Sequence, residues 1–417
     1  MSDEIKTQPE PALPPDLVPP LPEDAAPPPA APEPAATQSG ARVVAGKGLK
    51  SFARRALDGA SSLMEWIFGA AVLVVGLAVL SVLPVLNFLS LGYLLNVSGT
   101  VARTGRLRDG FIGVRKAAVI GRFLAGTWLV LWPARIVSGF WQDAVLIAPG
   151  SASTRNWRIA LVLLTVLTLW HILWASLRGG RMRHFLWPAP LRFFRWLRAP
   201  DKYEAIHNTV LGYVRSLSLP YYFWLGLRGF LGALAWLILP VGILLLASRL
   251  PQTGAVLLSL PGGLLLFLVA IHLPFLQARF ACTGNFRDLF AWREVRALFR
   301  RAPLAFWLAL LVTLLFALPL YLLKIELTPR ELAWLPSLVF VSFILPARLL
   351  TGWAVGRAMR REQPRSAFFC WLSRLTILPV AGVYVLFVYF SQFFSWNGAL
   401  SLLEQHAFLV PAPLMTL

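Results

Sequence analysis

From Leu63 onward, apolar runs follow one another along the chain, each bounded by a short polar or basic stretch. A helix rises about 1.5 Å per residue, so about 20 residues cross a hydrocarbon core about 30 Å thick. On that measure the runs predict membrane segments at 63–83, 85–102, 117–140, 157–177, 220–248, 256–280, 303–323, 332–354 and 375–395. The stretch 63–102 is too long for one helix, and Pro84 with Asn87 marks a break within it. Its second leg is short and carries Asn96, Ser98 and Gly99, which fits a short span or one arm of a re-entrant hairpin. Both options return the chain to its starting side. The expected fold class is all-α, a polytopic transmembrane helix bundle of about nine membrane segments.

Composition sharpens this picture. The 417 residues are 57% hydrophobic and 14% charged, with a mean hydropathy of +0.66. Soluble domains hold about 45–50% apolar and about 25% charged residues. A net charge of +20 would suit a nucleic-acid partner. The basic residues argue otherwise, because they gather at the ends of apolar runs, where cytoplasmic flanks of membrane helices carry them. No nucleic acid is expected.

The positions of those charges test the segment map. Regions 41–62, 103–116, 178–202, 279–302 and 355–374 hold 5, 5, 7, 6 and 5 Lys and Arg. The loops on the other side hold five, Arg155, Arg158, Arg249, Lys324 and Arg330, and 396–417 has none. Rich and poor loops alternate as nine crossings require, with the N-terminus cytoplasmic and the C-terminus external. A bacterial cytoplasmic (inner) membrane is the expected location.

Residues 1–41 carry seven acids against the single base Lys6, with runs such as Pro27-Pro28-Pro29. Such a segment buries too little apolar surface to offset its ordering entropy, so a disordered acidic Pro/Ala-rich tail is expected. It does not resemble a cleavable signal, which leaves the first membrane segment to act as its own signal. Proline-rich chain of this kind is either a solvated spacer or a dock for a cytoplasmic protein. The expected divisions are the tail 1–41, a basic juxtamembrane segment 42–62, membrane repeats 63–200 and 220–365, an interfacial helix 201–219 between them, a final span 366–395 and an external tail 396–417.

The two repeats rest on a motif. Thr104-Gly105-Arg106-Leu107-Arg108-Asp109-Gly110-Phe111 matches Thr283-Gly284-Asn285-Phe286-Arg287-Asp288-Leu289-Phe290 at an offset of 179 residues. The shared frame is T-G-x-[LF]-R-D-x-F, and a proline (Pro84, Pro261) introduces the span before each copy. A basic echo follows each: Arg178 to His184, and Arg361 to Arg365. Four helices per half return each half to the same face, so the duplication is parallel. The motif reads structurally as a turn, with Thr or Asp capping and Asp pairing with Arg. It reads functionally as a cytoplasmic rim of Arg108, Arg183, Arg287 and Arg365, supported by Asp109 and Asp288, that binds phosphate of a lipid headgroup or solute.

The run Pro84-Val85-Leu86-Asn87 through Gly92-Tyr93-Leu94-Leu95, followed by Arg103 and Gly105, resembles the opening of a family of prokaryotic multi-pass membrane proteins known as a domain of unknown function. The stretch Thr283–Ala302 is similar to that family's later G-x-[LF]-x-x-x-F segment. The likeness covers about 84–125 and 275–323 and implies a fold without an activity.

Searches for chemistry return little. No phosphate-binding G-x-x-x-x-G-K-[ST], zinc-binding H-E-x-x-H or nucleophilic G-x-S-x-G motif occurs. Cys282 and Cys370 are too few for a zinc site and read as small buried hydrophobes. No cofactor is expected. Gly226, Gly229 and Gly232 read as close helix contacts within a span. Ionisable residues at membrane depth are the default pointers to function. Arg122, Arg228 and Arg348 sit near cytoplasmic ends, from which they would snorkel outward, while His171 and His272 lie deeper. Asn87 at the break completes the candidate ligand-binding set. Leu191 to Arg198 alternates aromatics with arginine and reads as an interfacial helix rather than a base-stacking surface.

The function expected is non-enzymatic transport or binding of a small or lipidic anionic molecule, with anionic membrane lipids as partners. One alternative is a membrane scaffold recruiting cytoplasmic proteins through 1–41. Another is a lipid-modifying enzyme, which lacks any recognisable acid–base pair and would need ionisable side chains converging near the headgroup plane, for instance His184 with Asp201.

Overall fold

The computed structural model describes residues 44–197, 202–322, 334–395 and 398–403. The acidic tail and Asp201 lie outside them, as does all of 404–417. The chain divides into two units, Met1–Asp58 and Gly59–Leu417. In the first, the described residues 44–58 are helical. The second is an all-α bundle, with no strand among the described residues.

The chain begins with α1 (Val44–Val82), α2 (Asn87–Thr104), α3 (Val114–Ile147) and α4 (Ala152–Leu177). Three shorter helices follow: α5 (Met182–Leu186), α6 (Pro190–Leu197) and α7 (Lys202–Ser216). Next come α8 (Leu219–Ala247), α9 (Gln252–Thr283), α10 (Trp292–Arg301) and α11 (Pro303–Leu322). The last two are α12 (Trp334–Met359) and α13 (Ala367–Phe394). Every expected membrane segment falls on a helix. Among the described residues, seven stretches are long and apolar enough to cross a membrane, and α10 with α11, bent by 115° where they join, forms an eighth element.

The remaining helix, α2, is 18 residues long, about 27 Å, and nearly all buried. It packs against α8, α9 and α12. This explains a composition too polar for a lipid-facing helix: Asn87, Ser90, Asn96 and Ser98 all turn into protein. The Ser90 hydroxyl donates to the Leu77 carbonyl of α1 (2.8 Å), and the Tyr221 hydroxyl to Asn96 Oδ1 (3.2 Å). In lipid, close backbone approach between helices replaces the missing hydrophobic drive. Around α2 that approach is built from glycine. A Cβ at Gly92 would overlap the Tyr222 carbonyl and one at Gly226 the Phe88 carbonyl. Gly99 faces the Ala281 carbonyl, while Gly352 and Gly356 face those of Ser98 and Ala102.

The duplicated motif folds into the same turn twice. Gly105 and Gly284 are left-handed (φ 77° and 75°), and their N–H groups close on Val101 and Phe280. Thr104 and Thr283 Oγ1 accept from the N–H two residues on, each at 3.3 Å. A short 3-10 helix then follows, Leu107–Gly110 or Phe286–Phe290. Gly284 has open space around it, so Gly284→Ala isolates the backbone cost of the left-handed conformation. The expected loss is about 1–2 kcal/mol, read as a lowered unfolding midpoint in detergent.

Beyond the turns, the halves pack differently. The hairpins α3–α4 and α11–α12 are alike, yet α12 also covers α2 and α9, whereas α4 packs chiefly on α3 and α5. Pro84 breaks the chain as expected, but Pro261 does not. It lies within α9 together with Pro274, because neighbouring helices tolerate the lost hydrogen bond in a membrane helix. The start of the expected external tail folds back, with Ser401 and Leu402 buried and the Ser401 hydroxyl 3.1 Å from that of Ser391 on α13.

Candidate functional site

Several arginines of the basic regions do structural work at helix ends. A helix leaves its last carbonyls unpaired and partially negative, so guanidinium groups settle there. Arg103 donates to the Ala281 and Cys282 carbonyls at the end of α9 (3.0 Å each). Arg360 donates to the Ala102 carbonyl near the end of α2 (3.4 Å), and Arg361 to the Arg301 carbonyl ending α10 (3.3 Å). Three of the basic regions therefore meet at one end of the bundle, as charge alternation demands. Arg178 closes the α5 segment by donating to the His184 and Trp187 carbonyls.

Two cavities open beside the α10–α11 bend. The larger, about 750 Å³, lies among α8, α9, α10, α11 and α13. Its floor is buried and apolar: Phe275, Val295, Phe306 and Leu310. Arg296 and Arg374 line its exposed part, with His272 beside them. Both guanidinium groups rest on rings, Arg296 on Trp292 (5.2 Å) and Arg374 on Phe299 (5.7 Å). The ion pairs among the described residues are Arg122–Glu65, Arg279–Asp288 and Arg279–Glu294, so neither cavity arginine is matched by a carboxylate. The smaller cavity, about 370 Å³, lies among the start of α11, the end of α12 and the start of α13. Arg357, Arg361 and Arg365 line it.

The expected candidates distribute unevenly over this geometry. Arg365 lines the smaller cavity and His272 the larger, where its Nδ1 lies 2.8 Å from the Leu268 carbonyl. Arg108, Asp109, Arg183, Arg228 and Arg287 are exposed and line neither. Asp288 is spent on the turn, accepting from the Thr283 hydroxyl (2.6 Å) and pairing with Arg279 (3.8 Å). His171 Nε2 sits 2.7 Å from the Phe185 carbonyl, joining α4 to α5. Asn87 is buried at the start of α2 with its Oδ1 unpartnered. Arg348 does not snorkel: it is 4% exposed and its Nη1 donates to Gln277 Oε1 (2.7 Å). The face it occupies on α12 points at α9, and that face, rather than its distance from the helix end, fixes its environment.

Near the α5 segment, His184 is pushed down from the usual imidazole range by burial and then by Arg178, Arg183, Arg181 and Arg192. On α6, Phe193 packs edge-on against Trp170 and Trp174 of α4, so this ring of the Arg-aromatic run is used inside the protein. No cluster of three His, Cys, Asp or Glu suited to a metal occurs among the described residues, and both cysteines are free.

Arg296, Arg374, Arg357, Arg361 and Trp307, which build the cavities, did not stand out as candidates in the sequence. One signal was present: an aromatic residue one helical turn from an arginine. It recurs at Trp292/Arg296, Trp353/Arg357, Arg365/Phe369 and Trp371/Arg374, and each pair stacks at 5.2–5.9 Å. No family model, curated protein or solved structure matches this chain.

Proposed function

We propose that the protein is a non-enzymatic, multi-pass protein of a bacterial inner membrane, with its N-terminus in the cytoplasm, that holds an anionic lipid in the larger cavity. The observation that carries this reading is the pairing of a buried apolar floor with two uncompensated guanidinium groups. An acyl chain would cover Phe275, Phe306 and Leu310, and a headgroup phosphate would meet Arg296 and Arg374. Holding is favoured over transport between the halves, because α2 meets α8, α9 and α12 backbone to backbone at the glycines. No carboxylate lines either cavity, which favours binding over acid–base chemistry. The resemblance at Pro84–Leu95 belongs to the same proposal and contributes a fold only.

Native mass spectrometry with phosphatidylglycerol tests this. Arg296→Gln with Arg374→Gln is expected to lose the retained lipid, while Arg108→Gln with Arg287→Gln, an equal change in charge, keeps it. Retention by the first pair at the wild-type level would refute the cavity. Loss only in the second pair would return the role to the outer rim.

A further inference from the structure

We infer that the smaller cavity is a second, separate anion site that takes a phosphomonoester. Three features converge on it. The amino end of α11 opens into it at Pro303 and Leu304, where proline has no N–H and the Ala305 and Phe306 N–H groups close on the Ala302 carbonyl, so the Leu304 N–H is the one backbone donor left over at this end. Arg357, Arg361 and Arg365 line it from α12 and the segment leading to α13. Arg361 is pushed down from the usual guanidinium range by burial and then by its neighbours Arg357 and Arg365.

Three like charges around one space call for a compact ligand with several acceptors and more than one negative charge. A phosphomonoester carries about −1.5 to −2 near neutral pH, with a second pKa of about 6, and offers three terminal oxygens. A phosphodiester or a carboxylate brings a single charge. The cavity also exceeds the needs of a bare phosphate, and Trp353, Phe369 and Leu308 give it an apolar wall for the organic part of the ester. Glu362 is exposed and lies outside the lining, so the cluster is not neutralised from within its own loop.

Titration calorimetry on the full chain in detergent tests the assignment, with dioctanoyl phosphatidic acid, dioctanoyl phosphatidylglycerol, glycerol 3-phosphate and inorganic phosphate as probes. The phosphomonoester is expected to bind about tenfold tighter than the diester, with affinity rising from pH 5.5 to 7.5 as the second proton leaves. Arg357→Gln should weaken it about tenfold. Arg365→Gln should weaken it to a similar extent. Arg287→Gln, which removes the same charge outside both cavities, should have no effect. Phosphatidic acid far tighter than glycerol 3-phosphate assigns a lipid, and equal affinities assign a soluble ester. Diester binding as tight as monoester, or wild-type affinity in both Arg357→Gln and Arg365→Gln, overturns the site, whatever becomes of the larger cavity.

Discussion

Gly226→Leu is expected to abolish the folded bundle, with a loss exceeding about 4 kcal/mol. The reason is geometric. Gly226 on α8 and Gly92 on α2 form one contact in which each backbone lies where the other's Cβ would stand. Backbone carbonyls cannot rotate aside as a side chain does, so a leucine must push α8 off α2. That would open a helix whose buried Asn87, Ser90 and Ser98 have no favourable place in lipid. Gly242 on the same helix is exposed and meets nothing within 4 Å, so Gly242→Leu should leave the protein monodisperse with its unfolding midpoint almost unchanged. Size-exclusion profiles and thermal unfolding in one detergent compare the two. A Gly226→Leu protein that elutes and melts like the wild type would mean α2 is not the tightly held centre of the bundle.

This contrast also shows what the sequence made legible. Segment positions were readable because a bilayer imposes one length and one polarity on every crossing, and the break at Pro84 because proline removes a backbone donor. The turns at Gly105 and Gly284 were readable because left-handed backbone selects glycine. The direction each helix faces was not. In most spans lipid-facing and protein-facing positions are both apolar, so hydropathy along the chain carries almost no record of neighbours. α2 is the exception, since its Asn and Ser residues announce burial. The cavities were hidden for a related reason. Arg296 and Arg374 converge from α10 and α13, and only the bend at Ala302–Pro303 brings the start of α11 to Arg357, Arg361 and Arg365. A proline directly after Arg300-Arg301-Ala302 was the visible sign that one helix ends and another starts there.

The second large effect is expected at Arg348. This arginine is almost wholly buried between α12 and α9, with the Gln277 side-chain oxygen as acceptor at 2.7 Å and no ion pair to a carboxylate among the described residues. Removing one partner of a buried charged contact leaves the other desolvated and uncompensated, which costs about 3–5 kcal/mol. Gln277→Leu is therefore expected to lower stability by that order, although leucine is close to glutamine in size and suits the span. Replacing both partners removes the stranded charge, so Arg348→Met with Gln277→Leu should recover most of the loss. Unfolding midpoints of the two single variants and the double variant form a cycle that isolates the coupling. A double variant less stable than Gln277→Leu would show that Arg348 is held by further acceptors. If Gln277→Leu alone melted like the wild type, the guanidinium would not depend on this contact.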